Sequence, residues 1–421
     1  MEAKVPKIAF VVVRYGEGIN GGAEAHCRML AERLTPYYQV EVLTTCVENY
    51  AKGENVFPEG IEHLNGVLVR RFKATPLHTP NTSGKLAPNL RSIRGFLYRK
   101  HLLAPIASLI PVWSWWKGRE IQSYQRDVFY SPSLFEYIQS HKDEYDVFIP
   151  FTIDFPMVYY TALYAPEKTL VIPTMHYQKA AFRPILTEVF TRVAYIGFNT
   201  RAEEELAENI FGSHIAPHGI ISVGVDIAPA ADWEATRTKY ALPEEYLLFV
   251  GRIDKDKLDN IFNDFLAYKQ KYPDSRLKLV LVGGLFVDAF HHPDIIYTGF
   301  VDEGEKTAII AHAKIILNPS QNESLSLILL EALNLKKVMI ANGKCNVMRE
   351  HYQKSHHALR IYFNQEELLS QLHELDTSEE LRTDMGEKGF DYVTKNYSWP
   401  IIIERLKKQI EIIRNANKKS L

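Results

Sequence analysis

The stretch LLFVGRIDKDKLDNIFNDFLAYKQKYPDSRLKLVLVGG, residues 247–284, decides the fold. Leu247–Val250 is a short apolar run that passes directly into Gly251 and Arg252. A helical pattern follows over Leu258–Lys271, and then a second apolar run, Leu277–Val282, ends in Gly283-Gly284. Continuous short apolar runs suit strands covered on both faces, and the spacing between them suits a crossover helix. Together they make a βαβ unit.

The alternation extends in both directions. Upstream, the spacing predicts strands over Ile8–Val13, Val40–Thr44, Val67–Phe72, Val147–Phe151, Leu170–Thr174 and Tyr195–Thr200; downstream, over Ile295–Gly299, Ile315–Asn318, Val338–Ala341 and Leu359–Tyr362. Helices are predicted over Ala23–Leu34, Arg201–Ile210, Glu303–His312 and Ser324–Asn334. Repeated strand–helix alternation means α/β architecture with doubly wound parallel sheets. The pattern weakens across Ser222–Pro243, which sets expected domains at 1–225 and 226–398. Residues 399–421 read as a terminal helix that returns towards the first domain, and about 75–130 reads as an insert.

With 421 residues the chain has room for two or three cores. Hydrophobic residues at 46% and charged residues at 24% exclude a largely disordered chain. Cys27, Cys46 and Cys345 are too few and too scattered for a disulfide framework or a CxxC metal site. The apolar tract Leu102–Trp116 is interrupted by Pro105 and Pro111 and is shorter than the roughly 20 residues of a membrane span. The N-terminus reads as a strand rather than a leader, so a cytoplasmic protein is expected.

The net charge of −2 conceals an uneven distribution. From His63 to Arg119 there is no acid, while Arg70, Arg71, Lys73, Lys85, Arg91, Arg94, Arg99, Lys100, Lys117 and Arg119 are all basic. Trp113, Trp115 and Trp116 lie in the same segment. Basic and aromatic residues bordering an apolar run suit peripheral contact with an anionic membrane or a lipid-linked acceptor. The plainer reading is a lid whose tryptophans pack inward. No nucleic-acid module is present, and nucleic acid is not expected as a partner.

After the first strand, Gly16, Gly18 and Gly21 match GxGxxG, with Arg14 before and Gly22-Ala23-Glu24 after. A dinucleotide site also needs an acid ending the second strand, but that strand ends Leu43-Thr44-Thr45-Cys46 with Glu41 inside it. An anion held by backbone amides, a nicotinamide oxidoreductase and a tight turn without ligand all remain open.

In the second half, Glu323 and Glu331 flank Ser324-Leu325-Ser326-Leu327. If the helix starts at once, the two acids stand about 12 Å apart, enough to bracket a diphosphate. The amides of Leu325, Ser326 and Leu327 then sit at a helix N-terminus that favours phosphate oxygens. Arg252 and Lys257 follow a buried strand, at the edge where α/β domains bind ligands.

Several motifs occur here in register: Gly251-Arg252 with Lys257, Gly283-Gly284, Gly299-Phe300-Val301, Asn318-Pro319-Ser320, Glu323 with Glu331, Gly21-Gly22-Ala23-Glu24, His176 after Ile172-Pro173-Thr174-Met175, Met385-Gly386, and Asn396-Tyr397-Ser398-Trp399. The chain resembles family-4 glycosyltransferases of the GT-B fold over nearly its whole length except about 75–130. The resemblance implies two Rossmann-like domains facing each other across a cleft and retaining transfer of a hexose from a UDP- or GDP-sugar. It further implies that Arg252 and Lys257 hold the diphosphate, that Glu323 and His176 hold sugar hydroxyls, and that Glu331 holds the ribose. Backbone near Phe300 and Val301 would read the base, with Gly21, Gly22 and Gly251 lining the donor.

Arg14 and Glu24, with Arg91, Arg94, Arg99, Lys100 and the three tryptophans, are assigned to the acceptor or membrane side. One departure stands out: Ser324-Leu325-Ser326 replaces the family's Gly-Phe-Gly. Neither metal nor bound cofactor is expected, because Asp254-Lys255-Asp256 lies within the cationic loop and the nucleotide sugar is a co-substrate. A catalytically silent sugar-nucleotide-binding partner is the alternative of a different class.

Overall fold

The computed structural model describes residues 5–19, 21–50, 52–77, 90–107 and 114–419, and for 107, 114–116 and 419 the backbone only. The chain divides into two compact units, Met1–Val223 with Ile402–Leu421, and Gly224–Ile401. Among the described residues no helix is long and apolar enough to cross a membrane.

The strands of the first unit are β1 (Lys7–Val11), β2 (Gln39–Thr45), β3 (Gly60–Leu64), β4 (Val67–Phe72), β5 (Val147–Pro150), β6 (Leu170–Val171), β7 (Tyr195–Phe198) and β8 (His218–Ile220). They form a five-stranded sheet ordered β3-β4-β2-β1-β5 and a three-stranded one ordered β6-β7-β8. Parallel bridges Phe148↔Thr169 and Phe151↔Ile172 connect the two. Two of these strands escape the sequence pattern. β3 pairs antiparallel with β4 at the sheet edge and is largely exposed, so it shows no apolar run. β8 is three half-buried residues.

In the second unit β9 (Tyr246–Val250), β10 (Lys278–Val282), β11 (Ile295–Gly299), β12 (Ile315–Asn318), β13 (Met339–Asn342) and β14 (Arg360–Tyr362) form a six-stranded sheet. Its order is β11-β10-β9-β12-β13-β14, with every pairing parallel. Leu247, Leu279, Ile315 and Ile340 are fully buried in its core. Each contributes about 1.5–3 kcal/mol relative to exposure. The strand order reverses between β9 and β12, and the loops leaving these two strands therefore share one crevice.

Two helix boundaries depart from the sequence reading. Lys255–Leu258 and Ile261–Lys271 are separate helices, because Asp259 adopts φ 46° between them. The helix expected from Ser324 begins at Leu327, because Ser326 adopts φ 73°, in the left-handed region. Residues 324–326 are therefore loop, and the helical-rise spacing between Glu323 and Glu331 does not apply.

The basic insert is also corrected. It forms helices Leu90–Arg99, Leu103–Ala107 and Ser114–Gln125. Much of the charge of the acid-free stretch 63–119 pairs with acids beyond its ends: Arg70 with Glu41 at 2.7 Å, Arg71 with Glu62 at 2.6 Å, Arg91 with Glu120 at 2.7 Å and Lys117 with Glu188 at 2.8 Å. Arg94 is buried and donates to the Ile210 carbonyl, and burial pushes its pKa down to about 10. Arg91 and Arg94 are thus structural and do not present charge to a membrane. Trp113 and Lys85 lie outside the described residues, as do the side chains of Trp115 and Trp116.

The terminal helix Trp399–Lys419 passes from the second unit into the first. There Glu411 accepts from Tyr38, Arg414 pairs with Asp146 at 3.2 Å, and Asn417 donates to the Glu167 carbonyl.

Candidate active site

At the end of β9 the backbone turns through Gly251, and β10 ends beside it at Gly283. A Cβ on Gly283, whose φ is 135°, would lie 2.0 Å from the Gly251 carbonyl oxygen. Only glycine permits this approach. Gly251 N donates to Val282 O and Ile253 N to Gly284 O, both at 2.9 Å, which fixes the loop that carries the cations.

Asp254 caps the short helix Lys255–Leu258, its carboxylate accepting from Lys257 N at 2.9 Å. It also pairs with Arg252 at 3.2 Å. Asp254 thus serves as both cap and counter-ion in this loop. Among the described residues, no group of three or more His, Cys, Asp or Glu is arranged to hold a metal.

Lys257 Nζ lies 2.7 Å from Glu323 Oε1. The two residues are far apart in sequence, Lys257 on the short helix after β9 and Glu323 on the loop after β12, and the strand reversal brings them together. The Glu323 loop is a built structure. Asn318 Oδ1 accepts from Ser320 N at 3.1 Å, Ser320 Oγ donates to the Asn322 carbonyl, and Asn342 Nδ2 donates to the Pro319 carbonyl at 3.0 Å. Asn318 Nδ2 donates to Ser326 Oγ at 3.3 Å.

Further along, half-buried Glu331 pairs with Lys306 at 3.0 Å. Burial pushes the Glu331 pKa up, and Lys306 pulls it back. Lys306 also meets Glu303 at 2.7 Å. Sequence reasoning missed Lys306, because a lysine in an amphipathic helix carries no positional signal. Phe300 is 61% exposed, and Gly284 leaves room for its ring: a Cβ there would come within 2.6 Å of it. Gly251, Arg252, Lys257, Phe300, Val301, Glu323, Ser324, Leu325, Ser326, Leu327 and Glu331 all belong to the second unit.

The first unit has its own strand reversal, between β1 and β5. The Gly21-Gly22 loop leaves β1, and its chemistry is internal. Arg14 and Glu24 are buried and paired at 2.8 Å. Tyr50 donates to Glu24, and Arg14 stacks over the Tyr50 ring at 3.8 Å. At Gly21, with φ 152°, a Cβ would fall 2.1 Å from Glu24 Oε2. A carboxylate of the chain itself therefore sits where the sequence offered an anion-binding helix start.

His176 follows β6, beyond Thr174, which adopts φ 45° and donates to Thr152 Oγ1 at 2.9 Å. The buried Glu203 carboxylate accepts from Met175 N at 2.5 Å and Asn199 N at 2.6 Å, holding two strand ends together. Asp154, on the loop leaving β5, interacts electrostatically with His176 and accepts both oxygens' hydrogen bonds from Gln178, at 2.7 and 2.6 Å. Burial raises the Asp154 pKa, and His176 opposes it. A lone Asp after an apolar run carried no sequence signal for this position.

Residues 244–375 match the family model described as Glycosyl transferases group 1. A search of the curated proteins finds no match. Among solved structures, sucrose-phosphate synthase from Thermosynechococcus elongatus aligns with TM-score 0.66 at 15% identity, covering 98% of this chain and 100% of that one. An E. coli structure titled trehalose-6-phosphate bound with UDP-2-fluoro glucose aligns with TM-score 0.65 at 11% identity, covering 97% and 99%. HepE from Anabaena, in complex with UDP and glucose, aligns with TM-score 0.64 at 14% identity, covering 96% and 99%. The chain has the GT-B fold, and with a group 1 domain on its second unit the protein is a glycosyltransferase.

Proposed function

We propose that the protein is a retaining, family-4-like hexosyltransferase that uses a UDP- or GDP-sugar and acts on a glycan, polysaccharide or lipid-linked acceptor. The observation that carries this reading is the Lys257–Glu323 pair at the strand reversal of the second unit. A cation and an acid held together there match the two ends of a sugar diphosphate. Donor binding splits the pair, Lys257 going to phosphate and Glu323 to a sugar hydroxyl, while the exposed Arg252 adds a second cation. Two neighbours whose titles record UDP-2-fluoro glucose, or UDP with glucose, support the donor class.

In the reaction the bond from the anomeric carbon to the diphosphate oxygen breaks, and a bond from that carbon to an acceptor oxygen forms on the same face. The acceptor proton passes to the departing diphosphate, and Arg252 and Lys257 neutralise the charge that builds there. His176, backed by Asp154, holds a sugar hydroxyl, and Glu331 holds the ribose. No protein nucleophile and no metal is required.

Peripheral contact with an anionic membrane rests on the exposed end of helix Leu90–Arg99. Arg99 and Lys100 are exposed there, beside Ile93, Phe96 and Leu102 at 39%, 51% and 54% exposure. Apolar groups beside cations suit a headgroup boundary.

The test is incubation with UDP- and GDP-hexoses and candidate acceptors, with release of nucleoside diphosphate and the anomeric configuration of the product read by NMR. One donor should turn over with retention. Inversion would overturn the retaining assignment, and release from none of the donors would overturn the donor class.

A further inference from the structure

Beneath the loop Ser324-Leu325-Ser326 lies a chain of three buried polar side chains that the reaction does not use. His351, on helix Asn346–Lys354, has no exposed surface. Its Nε2 lies 3.1 Å from the Leu325 carbonyl oxygen, and its Nδ1 lies 2.9 Å from the Tyr392 hydroxyl. Tyr392 in turn lies 3.2 Å from the Tyr397 hydroxyl.

The carbonyl can only accept, so Nε2 carries the proton. Burial keeps the ring neutral, with its pKa lowered to about 4, and Nδ1 therefore accepts from Tyr392. Every hydrogen bond in the chain then has one direction, running from the tyrosines through the ring to the loop.

The consequence falls on one peptide unit. No peptide bond among the described residues is cis, and in a trans peptide the N–H points opposite to the C=O. Holding the Leu325 carbonyl towards buried His351 turns the Ser326 N–H to the outer side of the loop. Ser326 occupies φ 73°, which is easy for glycine and costly for serine. Reversing this peptide would return Ser326 to an ordinary negative φ and point a carbonyl outward, against an anion. The resemblance puts glycine at this position in related enzymes. Here a serine stands there, and the His351 bond opposes its intrinsic preference.

We infer that His351 is a positioning residue that holds the Leu325–Ser326 peptide with its amide facing the donor diphosphate. The inference rests on the reading of this loop as the diphosphate site.

Two measurements test it. In the unliganded protein, the ¹⁵N spectrum of His351 shows the neutral Nε2–H tautomer at pH 6; an Nδ1–H tautomer overturns the inference without reference to any ligand. In calorimetric titrations with UDP, GDP, uridine and guanosine, His351→Leu weakens the preferred diphosphate about tenfold and leaves its nucleoside unchanged. His351→Gln, whose amide still donates, recovers most of the loss. Equal losses for diphosphate and nucleoside mark a merely structural role and overturn the inference. Diphosphate affinity unchanged in both variants overturns it as well. If wild-type protein binds neither UDP nor GDP, the donor reading fails first and the positioning role falls with it.

Discussion

At the strand reversal of the first unit, Arg14, Glu24 and Tyr50 close on one another around Gly21. At that of the second, the Arg252 side chain stands 64% exposed and Lys257 reaches across to Glu323. Both sheets reverse order at the equivalent place, so topology supplies two crevices of one kind. Chemistry separates them. The first crevice has its charges engaged internally, Arg14 with Glu24, and Asp154 with Gln178 and His176. The second pairs Lys257 with Glu323 and leaves the Arg252 side chain exposed beside Asp254, and on the proposed function these cations open to a strongly anionic ligand. Position in the fold thus says where a ligand goes, and the local pairing of charges says which kind.

The largest effect that breaks this contrast is on catalysis. Glu323→Ala leaves Lys257 without its partner and removes the sugar contact, and turnover should fall about 10³-fold in a donor-release assay. Survival of activity would remove the second crevice from the chemistry.

Acid should strike both units alike. Burial lowers the pKa of His26 in the first unit, as of His351 in the second, to about 4. Each is neutral when folded, while its unfolded form takes up a proton below about pH 6.5. Their stability contribution is complete above about pH 6.5 and is lost as pH falls towards 4, on the order of 3 kcal/mol for each. Urea titrations at pH 7 and pH 5 should show the loss, and His351→Gln should reduce its pH slope.

Lys257→Ala or Arg252→Ala should lower kcat/KM for the donor by about 10²-fold, with larger sensitivity to salt in wild type than in either variant. Ser326→Gly relieves the left-handed serine but removes the Oγ that accepts from Asn318 Nδ2 and frees the unfolded chain, so the stability of the second unit should change by less than about 1 kcal/mol, measured by urea unfolding. Smallest of all, neutralising Arg91 should leave binding to anionic vesicles unchanged apart from any loss of folded protein, whereas neutralising Arg99 with Lys100 should weaken it in low salt. Equal effects from the two changes would return the insert to a simple charge patch.

Most of the sheets were legible, because parallel strands covered on both faces are continuous apolar runs. β3 was not, since an exposed edge strand has no such run, and neither was β8, which is too short to show a period. The cations and acids of the second crevice could be read from their loops, but the pairing of Lys257 with Glu323 required the strand order. The basic insert misled for a physical reason. Sequence counts charge along one line, while Glu41 and Glu188 reach it from elsewhere in the fold and the flanking Glu62 and Glu120 fold back onto Arg71 and Arg91. Asp154, Lys306 and His351 gave no signal, because their roles arise from what packs against them.

The central claim is that the second crevice, and not the first, binds a nucleoside diphosphate through its cations. Calorimetric titration of UDP and GDP into wild-type protein and into the Arg252→Ala, Lys257→Ala double variant tests it most directly. One diphosphate should bind wild type with Kd in the range of about 1–100 µM and the double variant at least about tenfold more weakly. Binding that is absent from wild type, or equal in the two proteins, would contradict it.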